Sequence, residues 1–277
     1  MARIAKIVKN MPLGRFLLMP LRLSIVARHQ LPKAGMAISW LIKSRECTNH
    51  TYDLTPANLQ SLAHTISLVT GDTVAKVEQY LQEPIGDQGL INLVRQRSRQ
   101  VDAQVSDDTC RFGRRLGWYA LVRSCHPKLV VETGVDKGLG AVLLCSALMR
   151  NAESGYPGEY IGTDINPGAG AFLQASYNRF GRIIYGDSIE SLKTLQQPID
   201  LFVNDSDHSA EYEYREYQTI ANNLSPKSII LGDNAHLTDK LMKFSRETGR
   251  DFLFFKEEPY HHWFPGGGIG FSFHRPC

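Results

Sequence analysis

The first 45 residues contain no aspartate and no glutamate, and the whole 277-residue chain has only five cysteines. Cys47, Cys110, Cys125, Cys145 and Cys277 are odd in number and scattered, with no CxxC and no Cys/His ligand spacing. That argues against a structural zinc and against a disulfide framework, and it points to a reducing, cytoplasmic compartment. Long apolar runs are missing too. Pro12, Arg15, Pro20 and Arg22 interrupt every stretch that approaches the ~18 uncharged residues a spanning helix needs. The same stretch reads poorly as a secretory signal, because no small-residue cleavage site follows an apolar core. With 23 Gly and 13 Pro the chain is neither collagenous nor of low complexity, and it shows no internal repeat.

What is present is an uneven charge. Nine basic residues fall within 1–45 (Arg3, Lys6, Lys9, Arg15, Arg22, Arg28, Lys33, Lys43 and Arg45), which leaves 22 basic and 28 acidic residues elsewhere. The net +3 is therefore a positive arm in front of a body of net −6. An acidic body without a basic groove predicts no nucleic-acid partner. Between its charges the arm is apolar, with Phe16, Leu17, Leu18, Met19, Leu21, Leu23, Ile25 and Val26. It reads either as a basic amphipathic segment for an anionic membrane surface or acidic partner, or as a loose arm that packs on the body. A transit peptide is the weaker reading.

From 53 to 125 the pattern is helical. Thr55-Pro56 supplies an N-cap and a proline at the first helical position, and Leu59, Leu62, Ala63, Ile66 and Val69 then recur mostly at three and four. Thr73 caps a second helix through Val77 and Leu81, and Leu90, Ile91 and Val94 form a third stripe. Residues 46–109 are thus a helical cap ending in a polar linker at 99–109, and 110–277 form a second domain. There short apolar runs alternate with helices: Leu129–Val131, Tyr160–Thr163, Arg182–Tyr185, Leu201–Val203, Ile229–Leu231, Phe252–Phe255 and Gly270–Phe273. The alternation predicts an α/β parallel sheet covered on both faces. Only 14 residues separate the last two runs, too few for another crossover helix and suited to a hairpin-like return.

The first strand ends in Glu132-Thr133-Gly134, followed by Gly138 and Gly140. This GxxxGxG turn lets a ligand approach the backbone at the carboxyl end of a strand, and it is not the GxGxxG of a dinucleotide site. The second strand ends at Asp164, where a carboxylate can accept both hydroxyls of a ribose. The third ends in Gly186-Asp187-Ser188; Asp187 either accepts from an adenine amino group or caps the next helix.

Glu132, Gly134 and Gly138, then Asp164, then Gly186–Ser188, in that order, resemble the class I S-adenosylmethionine-dependent methyltransferases. The resemblance covers 110–277 and implies a Rossmann-like seven-stranded methyltransferase sheet with its last strand antiparallel, behind the N-terminal helical cap. It implies S-adenosylmethionine as cofactor, with Glu132, Thr133, Gly134 and Gly138 near its methionine part, Asp164 on the ribose, and Asp187 and Ser188 near the adenine.

The fourth strand ends in Asn204-Asp205-Ser206-Asp207-His208 and the fifth in Asp233-Asn234-Ala235-His236. Two carboxylates and an amide oxygen form a hard-oxygen partial shell of the kind Mg2+ takes. The pattern resembles metal-dependent O-methyltransferases of the catechol and caffeoyl-coenzyme A type, which implies Asp205, Asp233 and Asn234 as ligands. The DxxH spacing of Asp205 and His208 also resembles macrolide sugar O-methyltransferases and makes His208 the candidate general base. Asp207 competes with Asp205 for the ligand role. Both strand ends can instead be helix caps or Asx turns. The loop Tyr260 to Gly268 holds His261, His262 and Trp263, which with His236 are candidate contacts to the acceptor; it reads as a mobile lid or a bulged hairpin.

The expected activity is methylation of a hydroxyl on a small-molecule acceptor, a natural-product sugar, polyketide or phenolic. Two other readings stay open: a metal-independent N- or O-methyltransferase, and a non-catalytic, membrane-associated binding module on the same fold. Peripheral membrane contact would run through residues 1–45, and self-association into a homo-oligomer is open.

Overall fold

The computed structural model describes residues 14–44, 51–101 and 109–275; Cys47, Cys277, the start of the arm and most of the expected linker lie outside them. The chain divides into two compact units, Met1–Ser44 with His261–Phe264, and Arg45–Tyr260 with Pro265–Cys277.

The first unit holds a short helix α1 (Gly14–Leu17) and a long one, α2 (Met19–Lys43). Pro20 falls in the first turn of α2, where its missing N–H has no partner to lose. Near the helix end the indole of Trp40 meets that of Trp263 edge-on at 5.4 Å, and His262 stacks on Trp263 at 5.9 Å. Among the described residues no helix is long and apolar enough to cross a membrane.

The second unit opens with three helices, α3 (Pro56–Thr70), α4 (Val74–Gly86) and α5 (Gln88–Gln100). Their starts follow the sequence signals: the side chains of Thr55, Thr73 and Asp87 accept from the backbone N–H groups of Asn58, Lys76 and Leu90. Leu62 of α3 lies against Gly117 of α6 (Arg115–Cys125), where an added Cβ would come within 3.1 Å of it. The Asn58 amide bonds Lys256 O at 2.9 Å and accepts from Glu258 N at 2.8 Å, tying α3 to the chain leaving the sheet.

The sheet and its helices run β1 (Leu129–Thr133), α7 (Leu139–Glu153), β2 (Glu159–Asp164), β3 (Gly181–Tyr185), α8 (Ser188–Lys193), β4 (Ile199–Asn204), α9 (Ala210–Ile220), β5 (Leu224–Gly232), α10 (Lys240–Glu247), β6 (Asp251–Lys256) and β7 (Gly268–Phe273). Strand order is β3-β2-β1-β4-β5-β7-β6, and β7 is antiparallel to both neighbours. The seven expected strands and the antiparallel return are all present. Every residue of β1 is buried, as a central parallel strand covered on both faces requires.

Register positions the site. Thr133 lies opposite Thr163 and Asn204, and Asn204 opposite Gly232. The next residues along the chain, Gly134, Asp205 and Asp233, therefore leave the sheet side by side at its carboxyl edge, where open α/β sheets bind ligands.

Candidate active site

A cavity of about 640 Å3 opens over that edge in the second unit. It brings together Gly134, Asp164, Asp187, Ser188, Asp205, His208 and Asp233 of the expected residues, and Arg114, Arg115 and Tyr212 that were not expected. Gly134 is required by conformation and by space. Its φ is +82°, and a Cβ would lie 2.0 Å from the Asp205 carbonyl oxygen. Gly138 begins α7 at φ +90°, with Gly170 Cα 3.0 Å from where a Cβ would be.

Asp164 is held from two sides, Oδ2 accepting from Asp136 N and Oδ1 from Asn166 N, each at 2.8 Å. Each carboxylate oxygen accepts more than one bond, so ribose hydroxyls retain acceptor sites. Asp187 caps the following helix, one of the two roles considered for it, and still faces the cavity. Oδ1 caps α8 through Glu190 N at 3.0 Å, Oδ2 accepts from Tyr212 Oη at 2.9 Å, and the carboxyl lines the cavity. The backbone N–H of Glu190 holds its pKa below the ordinary value. Thr163 Oγ1 is buried at the cavity wall without a hydrogen-bond partner among the described residues, and a ligand would satisfy it.

Glu132 turns inward. Tyr160 Oη donates to it at 2.5 Å, and a Cβ on Gly140 would lie 2.3 Å from its Oε1. Burial pushes its pKa up to about 7. Thr133 is also turned inward and donates to Glu216 at 3.2 Å.

Asp205 and Asp233 face each other, and with His208 they offer ligand atoms all within 4.8 Å of one another. Burial and then the charge of Asp233 push the Asp205 carboxyl well up. Asp233 is buried too, but Arg114 and Arg115 outweigh the burial and hold it down. Asp207 accepts from Ser209 N at 2.7 Å in an Asx turn and lines the cavity outside the Asp205, Asp233 and His208 cluster. Asn234 reaches the group through His208: its Oδ1 lies 2.5 Å from the imidazole Nδ1. With Oδ1 as the acceptor, Nδ1 carries the proton and Nε2 keeps its lone pair.

His236 bonds Asp233 O through Nδ1 at 3.0 Å and packs near Gly267. His261, His262 and Trp263 belong to the first unit, where the latter two pack on Trp40.

Besides Tyr212, three groups were missed by sequence reasoning. Arg114 donates to Asp233 Oδ1 and lies 3.5 Å from Glu257, which also accepts from Tyr52 Oη at 3.0 Å. Arg115 Nη2 lies 3.7 Å from Asp205. A signal existed: two arginines at the start of a helix oppose its dipole and need acids to hold them. The third is Glu216, fully buried on α9, which accepts from Thr133, Ser188, Asn204 and Ser206 and so joins the ends of β1 and β4 to the start of α8. Its place on the same helical face as Glu213, Tyr217 and Ile220 marked it as inward-facing.

A family model described as a methyltransferase domain matches residues 131–235, the span that carries every cavity carboxylate above. Over residues 131–235 the chain is similar to that methyltransferase domain. Solved methyltransferase structures share its fold. The S-adenosylhomocysteine-bound methyltransferase PaMTH1 of Podospora anserina is 21% identical, covering 73% of this chain and 95% of its own, with a TM-score of 0.50. Cofactor-bound Rv0187 from MTB is 16% identical, covering 71% and 94%, also with a TM-score of 0.50. No curated protein sequence matches the chain. Within residues 131–235, the unpartnered Thr163 hydroxyl and the Asp164 carboxylate at the cavity fit S-adenosylmethionine, whose polar groups would meet them. The facing carboxylates of Asp205 and Asp233 also fit a divalent cation, with His208 beside them and Arg114 engaging Oδ1 of Asp233.

Proposed function

We propose that this chain transfers the methyl group of S-adenosylmethionine to a hydroxyl of a small-molecule acceptor, with His208 as general base and Mg2+ held at Asp205 and Asp233. The observation that carries this reading is the His208–Asn234 contact beside the acidic pair. It orients the ring and leaves Nε2 able to take a proton, and the ring stands at the cavity with the two carboxylates. S-adenosylmethionine supplies an electrophilic methyl group, and Mg2+ would lower the pKa of an acceptor hydroxyl. Asp164 and Asp187 are the acids on the side of the cavity away from Asp233, suited to the nucleoside part. Asp205 and Asp233 would hold the cation, and Arg114 would fix the orientation of Asp233. The expected acceptor classes remain natural-product sugars, polyketides and phenolics.

A second reading, metal-independent transfer, is favoured by the contacts of Arg114 with Asp233 and of Arg115 with Asp205, which already offset the paired negative charge. S-adenosylhomocysteine should raise the melting temperature of the protein, and no shift at millimolar ligand would end the methyltransferase reading. Titration with Mn2+ followed by electron paramagnetic resonance separates the two variants: bound Mn2+ that is lost in Asp205→Ala supports the cation, and no binding supports the arginine-only site.

A further inference from the structure

We propose that α2 is an interfacial anchor that lays an apolar stripe into an anionic lipid surface; this rests on the first unit alone and not on the methyl-transfer reading. In a helix, positions three and four apart share a face. Met19, Leu23, Ala27, Leu31, Ala34, Ile38 and Leu41 follow that spacing over the length of α2, and no charged residue interrupts the stripe. Its large members are open: Met19 is 63% exposed, Leu23 67%, Leu31 68%, Ile38 58% and Leu41 72%. No residue of the helix is buried. The remaining arc carries Arg22, Arg28, His29, Lys33 and Lys43, interspersed with Leu21, Ile25, Met36 and Trp40. Long basic side chains can bury their stems and keep their charges at the headgroups, so such an arc suits the rim of a lipid surface.

Charge decides the occupant. The arm holds nine basic residues and no acid, so the surface that complements it is negative and apolar together, as an anionic bilayer is. A second copy of α2 does not meet that need. Pairing two such helices would set their basic arcs alongside one another, and Pro32 and Gly35 interrupt any continuous knobs-into-holes seam. A spanning role fails because the helix is too short of apolar residues to cross. Trp40 and Trp263 pack together at the C-terminal part of α2, and indoles of this kind favour the membrane–water interface.

The test is co-sedimentation of the full chain with phosphatidylcholine vesicles with and without phosphatidylglycerol, at low and high salt. The expected result is binding to the anionic vesicles only, weakened by salt. Leu31→Glu/Ile38→Glu should lower the partition coefficient by roughly tenfold or more, and Arg28→Gln/Lys33→Gln should weaken binding to the phosphatidylglycerol vesicles by roughly tenfold or more. Far-ultraviolet circular dichroism and the melting temperature check that both variants fold. If the double glutamate variant is unfolded, the charge variant carries the test alone. The proposal is overturned if the wild-type chain does not sediment with anionic vesicles, or if both folded variants bind as the wild type does. It is equally overturned if the wild type is a dimer that the glutamate variant dissociates without any vesicle binding.

Discussion

Arg114 donates to a single oxygen of Asp233 from both Nε and Nη2, each at 2.5 Å, and the two side chains are both nine-tenths buried. The same guanidinium lies 3.5 Å from Glu257 and from Tyr52 Oη, so one cation serves two buried carboxylates. Removing it takes the nearest cation from both. Arg114→Met is expected to cost about 3–5 kcal/mol, the usual penalty for leaving a buried charge without its partner. The midpoint of urea unfolding would report it. In Arg114→Met/Asp233→Asn part of that loss should return, with a coupling energy of roughly 0.5–3 kcal/mol. Strictly additive single and double variants would show that the pair is not coupled.

His208 and Asn234 provide a second, separable prediction. His208→Ala should lower kcat by about 10²–10⁴-fold, the usual contribution of a positioned base, while S-adenosylhomocysteine affinity stays unchanged. Asn234→Ala removes the oxygen that orients the ring and should lower kcat by a smaller factor, again without loss of cofactor affinity. Full turnover by His208→Ala would remove the base assignment.

The strands, their order of appearance and the helix starts at Thr55 and Thr73 could be read from the sequence because each depends on neighbours within a few residues. So could the acids at the ends of β2, β4 and β5, since a strand end places the next residue at the sheet edge. The arginine pair could not be paired in advance. Arg114 and Asp233 are 119 positions apart, and Tyr52 and Glu257 are 205 apart. Local spacing carries no information on contacts of that range. The same limit applies to the aromatic loop. His262 and Trp263 meet Trp40, on a helix more than 200 residues upstream, and neither a lid nor a bulged hairpin named that partner. Asn234 shows a subtler limit. Its side-chain oxygen suits a cation by type, and only the approach of the His208 ring showed a competing partner.

Glu216 links fold to cavity. It accepts from Ser188 and Ser206, both at the cavity wall, and from Thr133 and Asn204 behind them. Burial raises its carboxyl pKa, and the four donors oppose that rise. Glu216→Gln keeps the volume but turns an N–H toward donors that need an acceptor. The expected outcome is a lower melting temperature together with roughly tenfold weaker S-adenosylhomocysteine binding, equivalent to about 1.4 kcal/mol. Calorimetric titration checks it. A stability loss with unchanged affinity would confine Glu216 to the fold.

Glu132 makes stability depend on pH in a direction opposite to that of a salt-bridged carboxylate. Its pKa is raised by burial from 4.5 to about 7 in the folded chain, so between those values the native state binds more protons than the unfolded one. Stability from this group is therefore greatest below pH 4.5, falls as pH rises toward 7, and is level above it. The gap corresponds to ~3 kcal/mol, at ~1.4 kcal/mol for each pH unit. Glu132→Gln removes the titration while still offering Tyr160 an oxygen to donate to. At pH 8 the variant without ligand should thus be more stable than the wild type by a few kcal/mol, and the difference should vanish near pH 4.5. Urea unfolding of both proteins across that range is the measurement. A difference independent of pH would mean that the Glu132 carboxyl is not the group that titrates.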